Sequence, residues 1–589
     1  MQSTDAVVDP TEGKIEQNGT ETQQDPPKPQ LGIRFWLAFW AIAFTNLAAA
    51  FDATTLSVAL PAISTTLGPS PSAFWAGTSY LLACTILMLI WVTLSDAFGR
   101  RPVLLTALTF FTLGAIICGI ADTWRTLLAG RTIQGLGGGG LISLTTVIIT
   151  DLVPLRERAR FNAMVSTVWA MGSATGPVLG GVLAVRGEWR WIFWINLPIV
   201  AVGVVGIGMF LRLKRRNRTL GEKLALFDFP GSFLFIASVT TFLIPVTWGG
   251  VQYAWGSRRT VVPLVLGLLG LVGFVGYEVL IARSTRSPTG NTEESPNKRG
   301  KPLLIPPSVF PSLTTLTLYT TSTFHGLTLF SLVYYMPEYF QSVKSYTPVI
   351  AGVASLPGTI TTVPCAILVG VVVAVTGRYR WALWVGWALT CLGIGLLILL
   401  DEATSVVQWV FIQGVSGLGI GCLFPSISIA VQASVPQREA GVAATLVLFF
   451  RSLGQALGVA VGGVILDNRL RRHLSTALLA GLRTTTPAAE TFNDRALNAA
   501  TLVEILNHLP TDSPEAMEIW RALVKSFRVI WMVICAFAGL NLVASLFVRE
   551  YGLDQALETE QGFVHESSGA SGGGERHDAQ EVVKEREGQ

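Results

Sequence analysis

Two oppositely charged side chains stand inside apolar runs of the sequence. Asp52 lies in the run that begins near residue 34, and Arg131 lies in a later run, three residues before Gln134. An ionised carboxylate that faced lipid would cost at least about 2.5 kcal/mol, so we expect Asp52 to face a bundle interior or a cavity. An acid in that setting suits reversible protonation, and a neighbouring guanidinium would couple its protonation to conformation. The sequence therefore predicts a proton-coupling group of Asp52, Arg131 and Gln134.

Both charges also have simpler interpretations. Asp52 is consistent with a hydrogen-bonded acid that only fixes helix packing. Arg131 is consistent with an arginine that reaches the outer membrane interface along its aliphatic stem. The positions of the two side chains in the folded chain distinguish these alternatives.

A further charged group occupies a short turn between two apolar runs. Residues 94–101 are Leu-Ser-Asp-Ala-Phe-Gly-Arg-Arg, so Asp96 is close in sequence to Gly99, Arg100 and Arg101. An acid there can pair with a base or a helix end in one conformation and release it in another, which biases a gate. The alternative is a tight loop whose arginines only set the membrane topology.

Glycines recur at about every fourth residue of one apolar run and again near the C-terminal end. The first group is Gly172, Gly176 with Pro177, Gly180 and Gly181, and the second is Gly454, Gly458, Gly462 and Gly463. Such spacing lets a neighbouring backbone approach closely, and Pro177 is expected to kink its helix, so we predict a hinge and seal at the bundle interface. The alternative is a purely structural packing face. Duplicated halves are typical of a membrane transporter with its site between them.

The composition is that of a polytopic membrane protein. Half of the 589 residues are hydrophobic, 14% are charged, and the mean hydropathy is +0.52, which excludes a soluble globular chain of this length. Apolar runs of about 20 residues, the length that crosses the hydrocarbon layer, predict fourteen spans between residues 34 and 548. Lysine and arginine are concentrated in alternate loops, which predicts that both termini are cytosolic.

Taken together, these motifs resemble the major facilitator superfamily, and within it the drug:proton antiporters with fourteen spans, as found among fungal efflux pumps. The resemblance rests on four segments, 51–61, 92–101, 131–140 and 172–181. Ser57, Val92 and Ala97 depart from the family pattern. The resemblance implies an all-α polytopic membrane protein with the major facilitator fold, in which two six-helix bundles are joined by two inserted helices.

The repeat and the resemblance also predict the organisation of the chain. We expect a disordered cytosolic tail over 1–33, a six-helix bundle over 34–213, a linker with two extra helices over 214–311, a second bundle over 312–550 and a disordered tail over 551–589. Within the second bundle, residues 467–526 are expected to form a long external loop with helical stretches such as 496–506.

The implied function is proton-coupled export, by alternating access, of a small and moderately apolar organic molecule such as a drug, toxin or secondary metabolite. Its partners would be the cargo, protons and the lipid bilayer, and we expect a monomer in the plasma membrane, with the vacuolar membrane as the alternative. A same-fold importer of amino acids or iron chelates and a transporter-like receptor are the other hypotheses.

Several functions are not expected. No His, Asp and Cys residues cluster at one membrane face, so we do not predict an enzyme. The six cysteines lie within apolar runs without metal-ligand spacing, and no glycine-lysine phosphate loop is present. We therefore expect no cofactor, no metal and no nucleic-acid partner.

Polar and aromatic side chains inside the apolar runs are candidates for a cargo cavity. They are Trp169, Phe324, His325, Tyr334, Tyr335, Glu338, Phe449 and Arg451. Arg451 lies deep enough in its run to need a partner. For the aromatic residues, ordinary core packing is the alternative, because aromatics at helical spacing are common in cores.

Overall fold

The computed structural model describes residues 32–68, 75–213, 219–249, 253–285, 303–474 and 513–553, and its regular structure within these ranges is helical. The first helices are α1 (Ile33–Leu67), α2 (Trp75–Phe98), α3 (Arg100–Gly119), α4 (Trp124–Leu152), α5 (Leu155–Val185), α6 (Trp191–Trp194), α7 (Asn196–Phe210), α8 (Leu220–Ala225), α9 (Phe229–Trp248) and α10 (Arg258–Thr285). The remaining helices are α11 (Leu313–Ser342), α12 (Pro348–Ala354), α13 (Leu356–Thr376), α14 (Arg380–Leu397), α15 (Val406–Ala433), α16 (Ala440–His473) and α17 (Pro514–Leu546).

Short polar side chains fix where several helices begin. The Thr123 hydroxyl accepts the backbone N–H of Thr126 at the start of α4, and Ser312 accepts that of Thr315 at the start of α11. These caps satisfy backbone donors that have no partner within the helix, so the apolar runs begin at defined residues.

The helices pack into two six-helix bundles with a helical hairpin inserted between them in sequence. In the first bundle α1 packs against α5 and α7, and α4 packs against α2 and α3. In the second bundle α11 packs against α16, α15 against α13 and α14, and α14 against α17. The inserted helices α9 and α10 pack against each other, and α9 also contacts α2 and α16. The insertion therefore touches both bundles.

Each of the fourteen predicted spans coincides with helical structure. In the part of the chain that the structure describes, thirteen helical segments are long and apolar enough to cross a membrane, with α6 and α7 counting as one and α12 and α13 as another. The remaining predicted span is α11, whose many hydroxyls lower its hydropathy. Seven of its serine and threonine residues are buried, among them Thr321, Ser322, Thr328 and Ser331. A helix too polar for lipid on all sides is therefore accommodated inside the bundle.

The ends of the predicted external loop are helical. α16 continues to His473 and α17 begins at Pro514, so both helices extend into the range 467–526. The predicted helical stretch 496–506 lies outside the described residues, as do most of the two predicted tails, 1–31 and 554–589.

The two glycine groups make the same contacts in the two bundles. A Cβ added at Gly172 would meet the backbone oxygen of Leu47, and one added at Gly454 would meet that of Thr323. Four residues further along, Gly176 faces the oxygen of Phe51, and Gly458 faces that of Leu327. α5 therefore sits on α1 in the same register as α16 sits on α11.

Candidate proton-coupling and gating sites

Asp52 and Arg131 form a buried ion pair inside the first bundle. Arg131 Nη1 donates to Asp52 Oδ2 at 2.5 Å, and the two side chains are 1% and 0% exposed. Gln134 joins them, because its Nε2 donates to Asp52 Oδ1 at 2.9 Å and its Oε1 accepts from Arg131 Nη1 at 2.8 Å. The three residues predicted to form one group are in direct contact, and Arg131 is not at an interface. The buried position removes the alternative of an arginine that reaches out along its stem.

Two neighbours complete the pair. Asn196 of α7 donates from Nδ2 to Asp52 Oδ1 at 3.3 Å, and the guanidinium carbon of Arg131 lies 4.4 Å from the ring centroid of Tyr80. Arg131 Nε also donates to the backbone oxygen of Ala76 at 3.0 Å. Four helices therefore hold one acid and one base, and Asp52 Oδ1 accepts bonds from two amides. Gln134, Ala76 and Tyr80 give Arg131 neutral contacts, and Asp52 supplies the negative charge that balances the guanidinium.

Sequence reasoning missed Asn196 and Tyr80. Asn196 was detectable in principle, because it is a polar residue inside the apolar run 190–212. Tyr80 carried no such signal, since an aromatic residue in an apolar run is usually ordinary packing.

The predicted gating turn is built around Arg100. Its Nη1 lies 2.6 Å from Asp96 Oδ1 and 2.5 Å from the Ser95 hydroxyl, and its Nε donates to Asp151 Oδ2 at 2.8 Å. Gly99 has φ of 97°, a conformation that favours glycine and turns the chain between α2 and α3. Asp96, Gly99 and Arg100 are brought together as predicted.

Two features of this turn were not predicted. Asp151, at the end of α4, is the second carboxylate on Arg100, and its side chain is less exposed than that of Asp96, at 17% against 49%. Arg101 points away from the pair and donates to the backbone oxygen of Gly208 in α7. An acid at a helix end near a loop is ordinary in a sequence, so only the folded chain identifies Asp151.

The first turn of α5 connects the two bundles. Arg156 donates to the backbone oxygens of Ala374 and Val375, near the end of α13, at 2.8 and 2.9 Å. Arg158 is 1% exposed, and its Nη1 and Nη2 donate to the side chains of Gln432 and Gln437 at 3.1 and 3.3 Å. The bundles are therefore held together at this end of α5.

The glycine motif of α5 packs within its own bundle. Gly172, Gly176 and Gly180 all face α1, where an added Cβ at Gly180 would lie 2.6 Å from the Thr55 oxygen. Gly181 is buried in the same helix, and the side chain of Pro177 lies outside the described part. The expected seal between bundles is thus not made by these glycines. Close inter-bundle packing of α5 occurs instead where Gly370 of α13 meets Ala159 and Ala163.

The cavity candidates do not form one group. Phe324 packs on Phe537 of α17, Phe449 packs on Phe235 of the inserted α9, and the Tyr335 hydroxyl donates to the Val459 oxygen at 2.5 Å. These are packing contacts between helices.

Among the others, Trp169, Tyr334 and Glu338 are half-buried, and a Cβ at Gly77 of α2 would lie 3.6 Å from the Tyr334 hydroxyl. His325 and Arg451 are the two that share a neighbour, Phe424 of α15.

Comparison with known proteins decides the family. The family model described as the Major Facilitator Superfamily matches residues 42–459, from α1 through the insertion to α16 of the second bundle. The chain belongs to the major facilitator superfamily. The expected fold, an all-α membrane protein of two six-helix bundles plus two inserted helices, is confirmed. Membership identifies the chain as a multi-pass membrane transporter that carries a small molecule.

Its relatives in the superfamily are fungal proteins of nearly the same length. MFS transporter L2 of Phoma sp. is 41% identical over 552 residues, covering 93% of this chain and 88% of the relative. MFS-type efflux pump LUC4 of Fusarium sp. is 33% identical, covering 94% of each chain. The acurin A biosynthesis cluster MFS-type transporter of Aspergillus aculeatus is 34% identical, covering 93% and 94%.

Solved structures of the superfamily share the fold. The proton:xylose symporter XylE aligns with a TM-score of 0.50 at 14% identity, covering 88% of this chain and 97% of the symporter. A bacterial homologue of the human lysosomal transporter Spinster, solved facing inward, aligns with the same TM-score at 16% identity and covers 88% and 98%. At these identities the likeness concerns the arrangement of helices alone.

Proposed function

We propose that this protein is a proton-coupled exporter of small, moderately apolar organic molecules that works by alternating access of its two bundles. We further propose that it acts as a monomer in the plasma membrane with both termini in the cytosol. The observation that carries the proposal is the enclosed ion pair of Asp52 and Arg131, which gives the membrane interior one group able to bind and release a proton.

The pair gives protonation a structural consequence. When Asp52 is ionised, its charge balances that of Arg131, and the cluster is neutral overall. When Asp52 binds a proton, the enclosed guanidinium keeps its charge but loses its counter-ion, which disfavours this arrangement of α1, α4 and α7. A proton that arrives from one side of the membrane therefore biases the helices toward another arrangement.

Gating follows from the contacts at the ends of the helices. In the arrangement described here, Arg156 and Arg158 join α5 to the second bundle, and Arg100 joins the ends of α2 and α4. Opening of the cleft at this side requires the contacts of Arg156 and Arg158 to break. We assign this side to the cytosol, because the turns that carry these arginines belong to the more basic set of loops.

The direction of transport is proposed on two grounds. The glycine motif at 172–181 resembles that of the antiporter branch, and a relative that matches over almost the whole chain is named an efflux pump. An organic cargo agrees with the relative named for a biosynthesis cluster. Import of amino acids or iron chelates is the competing hypothesis, and a direct transport measurement separates the two.

The test expresses the chain in a yeast strain that lacks its own efflux pumps. Cells are loaded with a panel of apolar organic acids, their methyl esters and apolar amines, and the retained amount of each is followed with and without a protonophore. Export predicts that at least one class leaves faster than from cells with empty vector, and that the protonophore removes the difference. Faster accumulation inside cells, or loss that is insensitive to the protonophore, would contradict the proposal.

A further inference from the structure

Arg451 of α16 is a buried cation to which the described residues supply no counter-ion. The residue is 8% exposed, and its Nε and Nη2 atoms are enclosed with no hydrogen-bond partner in the described ranges. Among the residues that the structure describes, no carboxylate lies within ion-pair distance of it and no charge opposes its own. This contrasts with Arg131 of the first bundle, whose counter-ion Asp52 is supplied by the chain itself.

His325 of α11 shares the surroundings of Arg451. The His325 and Phe424 rings are perpendicular with centroids 4.7 Å apart, and the guanidinium carbon of Arg451 lies 4.6 Å from the centroid of the same Phe424 ring. His325 is fully buried, and the backbone of Ile420 is near its imidazole, but within the described chain neither ring nitrogen makes a hydrogen bond of normal geometry. The two nitrogen-bearing side chains therefore contact the same aromatic ring.

The same face of α11 carries two further unpartnered polar atoms. Thr321 and Thr328 stand four residues before and three residues after His325, a spacing that places all three on one side of the helix. Both threonines are at most 1% exposed, and neither hydroxyl has a hydrogen-bond partner among the residues that the structure places. Thr317 and Thr320 of the same helix instead donate to their own helix backbone, at 2.8 and 3.0 Å. The unpartnered atoms are thus particular to the face that carries His325.

Such a group of atoms is unfavourable unless something bonds to it. An enclosed polar atom without a partner loses the hydrogen bond that water would give it, and native proteins keep few such atoms. A guanidinium offers a planar fork of donors that fits two oxygens at once, and threonine hydroxyls and an imidazole N–H add donors. A cationic ligand would be repelled by Arg451, and a neutral ether or ester would leave its charge unbalanced.

We propose that Arg451, with His325, binds an ionised carboxylate of the transported molecule, and that the face of α11 with Thr321 and Thr328 lies beside this site. The ring of Phe424 supplies the apolar wall on which the neighbouring part of that molecule rests. This inference rests on the proposed function, and it narrows the cargo from apolar organic molecules to organic acids.

The test measures binding to the full-length protein in lipid nanodiscs, without any proton gradient. The probes are 1-pyrenebutyrate, 2-naphthoate and decanoate, each paired with its methyl ester, and affinity is read from quenching of tryptophan fluorescence. The wild-type chain is expected to bind at least one acid about tenfold or more tightly than its ester, as a charge-assisted contact implies. If no acid binds better than its ester, the proposal is overturned.

Variants assign the preference to the proposed residues. Arg451→Gln is expected to bring the acid-to-ester ratio close to one, and Arg451→Lys to retain part of it. His325→Phe, which keeps an aromatic ring but removes the imidazole N–H, should lower the ratio by a few fold. Arg472→Gln is the matched control, because it removes an exposed arginine of the same helix. A ratio that persists in Arg451→Gln would contradict the assignment.

The result is distinguishable from failure of the proposed function. If the protein binds the acid better than the ester but shows no protonophore-sensitive export, the carboxylate site is supported and proton-coupled export is contradicted. If export is protonophore-sensitive but acids and esters are exported and bound equally well, proton-coupled export is supported and the carboxylate site is contradicted.

Discussion

Thr328 stands on α11 at the position that Asp52 occupies on α1. The relation follows from the glycine register, because Gly176 faces the oxygen of the residue before Asp52 and Gly458 faces that of the residue before Thr328. The first bundle thus has an enclosed acid where the second has a hydroxyl, and the second has the unopposed cation Arg451. We infer that the first bundle binds the proton and that the second bundle binds the anionic group of the cargo.

The stability of the first bundle should depend on Asp52 and Arg131 as a pair. Asp52→Asn leaves an enclosed guanidinium without its counter-ion, which is expected to cost about 3–5 kcal/mol of folding free energy. The double variant Asp52→Asn, Arg131→Gln removes both charges and is expected to recover most of that loss. Thermal unfolding in detergent compares the stabilities of the wild-type chain, the single variant and the double variant.

The double variant also separates packing from proton coupling. If the pair only fixes helix packing, the stable double variant should export normally. Under the proposal it folds but shows no protonophore-sensitive export.

The two acids on Arg100 should contribute unequally. The Asp151 side chain is 17% exposed and that of Asp96 is 49% exposed, and exposed ion pairs contribute only about 0.2–1 kcal/mol. Asp151→Asn is therefore expected to lower the unfolding temperature and the export rate more than Asp96→Asn does. Because the same change is made at both positions, each variant is the control for the other. Equal effects would contradict the conclusion that Asp151 contributes more than Asp96.

The tight contact of α5 with α1 gives a prediction about packing. An added Cβ at Gly180 would meet backbone of α1 at 2.6 Å, so Gly180→Ala is expected to destabilise the protein by about 1–3 kcal/mol. Gly276→Ala in α10 is the matched control, because nothing lies within 4 Å of its added Cβ. Fluorescence-detected size-exclusion chromatography after heating compares the two, and a loss of similar size in both would contradict this account of the motif.

Some of this site could be predicted from the sequence, and some could not. Asp52 and Arg131 were recognisable because a charge in an apolar run is costly enough to require a partner. The Thr321 and Thr328 hydroxyls were not, since threonine in a membrane helix usually bonds to its own backbone, as Thr317 does. The glycines of α5 were expected at the interface between the bundles, but they contact α1 of their own bundle. The spacing of the glycines defines one face of a helix and carries no information about which helix packs on that face.

Relative movement of the bundles can be tested by joining them. An added Cβ at Gly370 would lie 2.9 Å from that of Ala163, shorter than the roughly 3.5–4.5 Å separation in disulfides. Ala163→Cys with Gly370→Cys should therefore form a bridge under mild oxidation once α5 and α13 move slightly apart at this contact. We expect the bridge to stop export and a reductant to restore it, with mass spectrometry confirming the linkage. Each single cysteine variant controls for oxidation of native thiols, and continued export by the bridged protein would exclude separation at this contact.

Proton coupling through Asp52 is tested most directly in proteoliposomes. The measurement follows an exported compound from the yeast panel under two conditions, with an imposed pH gradient and as exchange without a gradient. For the Asp52→Asn, Arg131→Gln variant, the account predicts that exchange continues while accumulation driven by the gradient is lost. Accumulation at the wild-type level in that variant would contradict the account.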